Sequence, residues 1–245
     1  MYKNHYVSVI IAAAGMSNRM GSGINKQFIS IDNKPILAHT IGKFEDCRYV
    51  DEIIVVTKEG EIDYCRKEIV RRFGFKKVST IVKGGEKRQD SVYNGILALD
   101  EKSNIILSHD GARPFVKSKN IIDGIEGAFE YGACVIGVPV KDTIKVVKDE
   151  DIYRTPERDF LWAAQTPQCF KRDIIVEAYR KAKEDDFVGT DDSSFVERLG
   201  IDVKMIMGSY ENIKITTPED LIIAESILKD KDILYQRREF VFQGR

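Results

Sequence analysis

Two polar clusters carry residue types that bind and polarise phosphate. The first is Ala13-Ala14-Gly15-Met16-Ser17-Asn18-Arg19-Met20-Gly21, followed by Asn25-Lys26-Gln27. Its small residues at 13–15 let backbone N–H groups approach an anion closely, and Arg19 and Lys26 bring side-chain cations to the same place. That composition suits a triphosphate cradle, although it matches neither the GxGxxG dinucleotide fingerprint nor the GxxxxGK[S/T] loop. The second cluster is His109-Asp110-Gly111-Ala112-Arg113-Pro114. Asp110 suits Mg²⁺, an ion that takes one or two carboxylates together with phosphate oxygens and water. Read alone, these residues also suit structural work: Asp110 as a loop-capping carboxylate, Arg113 as an ion pair bracing the turn, His109 in packing. With neither a placed histidine nor a Ser/Cys-His-Asp triad set, covalent and hydrolytic triad chemistry is not expected.

Both clusters sit at the ends of short Val- and Ile-rich runs. The pattern predicts strands near 7–14, 52–57, 78–82, 104–109 and 133–139. Amphipathic helices are expected near 35–46, 60–73, 89–99 and 118–130, the first with Pro35 at the favoured first helical position. Strands alternating with helices imply a mostly parallel sheet covered on both faces, with ligands beyond the carboxyl ends of its strands. From Lys141 to Asp159 the chain is polar and charge-rich, and only Ile144 to Val147 reads as strand, so an arm or flap is expected. The α/β pattern resumes at Phe170, with a helix near 172–184, a short helix opening at Thr190, and strands near 202–207 and 212–215. Thr217-Pro218-Glu219-Asp220 reads as an N-cap, a proline at the first helical position and an acid closing a capping box, ahead of a helix to about Leu228. The simplest organisation is one domain over 1–230 with an inserted arm at about 140–160 and a charged tail at 231–245.

Composition bounds the function. The 245 residues are 43% hydrophobic, enough for a well-filled core, and the net charge of −1 provides no global basic field for a nucleic-acid backbone. Any bound anion must therefore meet locally placed cations. The longest nearly unbroken apolar stretch, Val7 to Ala14, falls far short of the ~20 residues of a membrane span, and it lacks the charged n-region and long apolar h-region of a signal peptide. Cys47, Cys65, Cys134 and Cys169 are scattered without CxxC pairing, against a zinc site or disulfide scaffold, so a cytoplasmic protein is expected.

Further blocks follow the same order along the chain: Gly84-Gly85-Glu86-Lys87-Arg88 with Ser91-Val92, then Val138-Pro139-Val140-Lys141-Asp142-Thr143, and Arg158 before Leu161-Trp162. Gln165-Thr166-Pro167-Gln168, Thr190-Asp191-Asp192 and Asn212-Ile213-Lys214-Ile215-Thr216 complete them. With the two clusters above, the sequence from about Val7 to Leu228 resembles the 2-C-methyl-D-erythritol 4-phosphate cytidylyltransferases.

The resemblance implies a Rossmann-like nucleotidyltransferase sheet, mostly parallel, with an inserted dimerisation arm. It implies CTP and a small sugar-alcohol phosphate as substrates, Mg²⁺ as cofactor, and neither nucleic acid nor membrane as partner. Carried over by it, Ala13, Ala14, Gly15, Gly85, Glu86 and Ser91 line a cytidine pocket, Arg19, Lys26 and Lys214 grip phosphate, and Asp110 holds the metal. Arg113, Thr143, Arg158, Thr166 and Thr190 receive methylerythritol phosphate. In such enzymes the counterpart of Arg158 comes from a second subunit's arm, which implies a homodimer. One departure is Ser17, where the family's loop commonly has another glycine. A ribitol-5-phosphate cytidylyltransferase and a non-catalytic nucleotide-binding regulator are the competing readings. Apart from the resemblance, Lys214 reads as an exposed strand lysine and Thr190 as an N-cap.

Overall fold

The computed structural model describes residues 1–15 and 25–229. Ser17, Arg19 and the expected tail at 231–245 lie outside them. In chain order the strands are β1 (Tyr6–Ala12), β2 (Ser30–Ile31), β3 (Lys34–Pro35), β4 (Glu52–Thr57), β5 (Val78–Lys83), β6 (Ser103–Asp110), β7 (Ala133–Pro139), β8 (Val146–Lys148), β9 (Asp151–Arg154), β10 (Trp162–Lys171) and β11 (Lys204–Met207). The helices are α1 (Ile36–Glu45), α2 (Ile62–Tyr64, continuing as a π-helix over Cys65–Arg71), α3 (Arg88–Leu97), α4 (Ser118–Tyr131), α5 (Arg172–Glu184) and α6 (Asp192–Arg198). The chain is helical again over 218–229, here α7.

Seven strands form one sheet in the order β11-β7-β10-β6-β1-β4-β5. All of its pairings are parallel except those of β10, which runs antiparallel to both β6 and β7. The central strands are buried on both faces, which is why they read as continuous apolar runs rather than alternating ones. Val7, Val9 and Ile11 of β1 pack with Leu37, Ile41 and Phe44 of α1 and Ile121 and Ile125 of α4, whereas Ile10 packs on the other face with Val92 and Ile96 of α3. From β1 the chain steps outward to β4 and β5, then returns to lay β6 on the other side of β1. The topological switch point, where such sheets bind ligands, is therefore between the carboxyl ends of β1 and β6.

Four local expectations change. Pro35 stands one residue before the first helix rather than inside it, because Ser30–Ile31 and Lys34–Pro35 pair as a hairpin whose Asp32-Asn33 turn has φ of 50° and 58°. Such doubly positive φ is the geometry of a tight two-residue turn that Asp and Asn tolerate. The short helix expected to open at Thr190 begins at Asp192, since the Asp191 carboxylate accepts from the Ser194 N–H and is the cap. Residues 212–215 form no strand; their backbone meets that of the loop after β6 through the Ile215 N–H, which donates to Ala112 O at 2.9 Å. Finally, the arm holds two strands, β8 and β9, paired as an antiparallel hairpin.

The segment bearing Lys214 is held from both sides. Ile215 (0% exposed) and Phe115 (1%) bury themselves with Ile31, Ile36 and Ala224, each Ile or Phe side chain contributing roughly 1.5–3 kcal/mol. Downstream, the acidic half of the expected capping box of α7 forms: the Asp220 carboxylate accepts from Thr217 N–H at 2.9 Å, from Thr216 N–H at 2.7 Å and from the Thr216 hydroxyl at 2.9 Å. Partial burial alone would raise the Asp220 pKa, but these donors outweigh it and hold it below the ordinary carboxylate value. A depressed carboxylate pKa contributes stability above the unfolded value of ~3.9 and loses it as pH falls through the folded value. Asp220→Ala should therefore cost roughly 1 kcal/mol at pH 7, the scale of a lost helix cap, with the gap closing as pH drops below ~4. Denaturant unfolding of both proteins at pH 7 and in acid checks this, and equal stability at pH 7 refutes it.

Candidate active site

The switch point opens as a crevice of about 680 Å³ lined by Ala12, Ala14, Gly15, Lys26, Gln27, Lys58, Gly85, Glu86, Lys87, Arg88, Ser91, Asp110, Ala112, Lys214 and Thr216. Its floor is the end of β1 against the end of β6, where Ala12 is the register partner of Asp110. One wall is the loop into α3. Its Gly84 must lack a side chain, because a Cβ there would stand 2.3 Å from the Ala14 Cβ. Ser91, on the first turn of α3, accepts from the Gly85 N–H at 3.2 Å and donates to Lys87 O at 3.2 Å, so its hydroxyl holds the wall in place.

Asp110 is the electrostatic centre. Its Oδ1 lies 3.0 Å from Arg88 Nε, and its Oδ2 lies 2.9 Å from Lys214 Nζ and 3.6 Å from Arg113 Nε. Burial alone would raise its pKa, but Arg88, Lys214 and Arg113 outweigh that and hold the carboxyl ionised, far below the usual range. Its backbone N–H donates to Thr166 Oγ1 at 3.1 Å. The neighbouring His109 ring is fully buried, bonded between Thr166 Oγ1 at 3.0 Å and Arg113 O at 3.1 Å. Burial pushes its pKa down to about 4, so near neutral pH it is an uncharged brace for the loop. Arg113 donates to Asn212 O at 2.8 Å, joining this loop to the Lys214 segment.

Of the residues singled out in the sequence, the structure gathers Ala14, Gly15, Lys26, Gly85, Glu86, Ser91, Asp110 and Lys214 into the crevice. Ala13 lies beneath it, fully buried, with its N–H bonded to Val56 O at 2.7 Å. Arg113 and Thr166 touch Asp110 from behind rather than lining the crevice. Thr143, Arg158 and Thr190 are exposed and do not line it; Arg158 Nη1 donates to Lys141 O at 3.3 Å, at the root of the arm. Sequence reasoning missed Lys58, although a lysine directly after the carboxyl end of a parallel strand faces the ligand edge. It also gave no role to Arg88 or Asp192, whose guanidinium and carboxylate meet at 2.9 Å.

A cation-rich crevice beside a glycine wall, set at the switch point of such a sheet, is a site suited to a phosphorylated ligand on an α/β fold. A sequence model of the 2-C-methyl-D-erythritol 4-phosphate cytidylyltransferase family matches residues 7–230, and this chain belongs to that family. It is 50% identical to the enzyme of that name from Caldanaerobacter subterraneus subsp. tengcongensis over 91% of this chain and 99% of the relative. It is likewise 50% identical to that of Clostridioides difficile, over 96% and 99%. The crystal structure of 4-diphosphocytidyl-2C-methyl-D-erythritol synthase from Anaerococcus prevotii superposes with a TM-score of 0.82 at 33% identity, covering 92% of this chain and 97% of that one. Among the described residues, no helix is long and apolar enough to cross a membrane.

Proposed function

We propose that this chain transfers the cytidylyl group of CTP to 2-C-methyl-D-erythritol 4-phosphate and releases pyrophosphate. The observation that carries the reading is the meeting of Lys26, Lys214 and Asp110 in one crevice of a chain of this family. A phosphate oxygen of the acceptor bonds to the α-phosphorus of CTP as the bond to the β-phosphate oxygen breaks. A phosphate monoester has a second pKa of ~6, so the nucleophile is ionised near neutral pH and needs no general base. The neutral, buried His109 is consistent with that. The barrier is electrostatic, because a dianion approaches a polyanion and charge moves onto the leaving pyrophosphate. Lys26 and Lys214 answer it, with Arg19 assigned to the same task by the family resemblance. Ala14, Gly15, Gly85, Glu86 and Ser91 then bound the cytidine side.

Mg²⁺ fits the donor set in one form only. Among the described residues no group of three or more His, Cys, Asp or Glu side chains is placed to hold a metal, so a single carboxylate, Asp110, would anchor an ion completed by phosphate oxygens and water. When bound, such an ion supplies further charge neutralisation on the triphosphate.

A homodimer completes the reading. An isolated two-stranded hairpin is marginal in water, and the arm and its root expose Val147, Ile152, Tyr153 and Phe160 by 54%, 64%, 63% and 78%. A second protomer's surface would cover them, and it would place Thr143 and Arg158 at its own crevice, with Thr190 and Arg113 also assigned to the acceptor.

Pyrophosphate release tests the activity. With CTP, Mg²⁺ and 2-C-methyl-D-erythritol 4-phosphate, release should be rapid; it should collapse when the metal is chelated or ribitol 5-phosphate replaces the acceptor. Faster release with ribitol 5-phosphate overturns the acceptor, and CTP binding with no release supports a regulator.

A further inference from the structure

An ion-pair cluster runs from the crevice lining into the interior, from Asp110 through the partly buried Arg88 to the fully buried Asp192. Arg88, the first residue of α3, donates from Nη1 and Nη2 to the two carboxylate oxygens of Asp192, both at 2.9 Å. Its Nε donates to Asp110 Oδ1 at 3.0 Å. Asp192 opens α6, is 0% exposed, and also accepts a hydrogen bond from the Tyr179 hydroxyl of α5. It is not among the residues lining the crevice.

We propose that Arg88 is a positioning residue: clamped by Asp192, it fixes the Asp110 carboxylate so that Oδ2 holds the Lys214 ammonium at the crevice. The proposal deepens the cytidylyltransferase reading and rests on it. The terminal torsion of an aspartate is broad and nearly two-fold, so nothing intrinsic decides which way the carboxylate plane turns. Thr166 fixes the main chain at Asp110, and Arg88 Nε fixes the plane by occupying Oδ1. Lys214 needs that anchor, since its side chain is 39% exposed and otherwise free to sample many rotamers. A guanidinium suits the task because its planar fork bonds one carboxylate through two nitrogens and presents the third to another; a lysine ammonium has no such fixed geometry. Asp192 and Tyr179, held by two helices, make the clamp rigid.

Steady-state kinetics on Arg88→Lys, Lys214→Ala and the double variant separate positioning from a merely structural tie. Arg88→Lys should lower kcat by roughly 10-fold or more with the KM for CTP within about 2-fold, the signature of an interaction realised in the transition state. At saturating Mg²⁺, so that any weakened metal anchoring by Asp110 does not limit the rate, the same substitution in the Lys214→Ala background should cost less than about 2-fold, because residues acting through one group are not additive. Losses that multiply in the double variant overturn the proposal, as does an Arg88→Lys effect confined to KM. If Arg88→Lys loses its cooperative unfolding transition, Tyr179→Phe decides. That variant keeps the ring and removes the hydroxyl on Asp192, and it should lose kcat a few-fold in the wild-type background but not beside Lys214→Ala; any other pattern overturns the proposal. An inactive wild type would sink the cytidylyltransferase reading itself, whereas an active wild type with multiplying losses sinks the positioning role alone.

Discussion

Lys214→Ala should cut kcat by on the order of 10²-fold or more, the scale of losing one preorganised donor to developing charge, while CTP affinity changes far less. The ammonium stands on a segment fixed by Ile215 and by the Asp220 cap, and it lies 2.9 Å from a carboxylate that both holds it and leaves it at the crevice. Removal leaves Asp110 still paired with Arg88 at 3.0 Å, so the fold should survive with a near-native melting temperature. Single-turnover quench with saturating CTP and acceptor reads the chemical step. Near-normal turnover would remove Lys214 from the mechanism.

The second large effect is a rescue. If Arg158 serves the partner's crevice, Arg158→Ala and Lys26→Ala should each be nearly inactive alone and regain activity when mixed. Each hybrid dimer would contain one crevice with both native residues, and activity should rise toward half that of a wild-type dimer. The structure motivates the test: Lys26 is buried in the crevice wall, whereas Arg158 is exposed at the root of the arm and absent from that crevice. Subunit exchange is verified by mass on differently tagged protomers. Verified exchange with no recovered activity would assign Arg158 to its own chain or to no catalytic role, and the case for an obligatory dimer would fall with it.

The strands around the site were legible because β1, β4, β6 and β7 bury both faces and so carry short runs rich in Val, Ile and Leu. The role of Asp220 in the capping box at 217–220 was legible because its chemistry is local. β10 was not, although it lies in the middle of the sheet. Its Pro167 argues against a central strand, and Gln165, Thr166 and Gln168 sit where apolar residues were expected, all buried. The strand tolerates them because its ladder to β7 is irregular between Ala164 and Gln168 and each polar group finds a partner. Gln165 donates to Ser209 O, Gln168 bonds both Asp191 and the Ser193 N–H, and Thr166 bonds Asp110. Arg88 and Asp192 were visible within recognised blocks but silent in role. Their contact spans 104 residues of chain, and no spacing rule reaches so far. The Asp110 cluster was legible as chemistry, but the three cations on its carboxylate were not.

The reversed direction of β10 also settles where an insertion can grow. A strand parallel to β7 would have to start at the opposite end of the sheet, forcing the chain to cross the whole layer after Pro139. Because β10 runs the other way, Trp162 pairs with Pro139, and the chain leaves and re-enters the sheet at one and the same edge. That edge is the one where β1 and β6 end. Lengthening or shortening the arm therefore leaves the register of the sheet untouched while changing what overhangs the ligand side, so reach toward a neighbouring molecule can vary independently of the stability of the body that carries it.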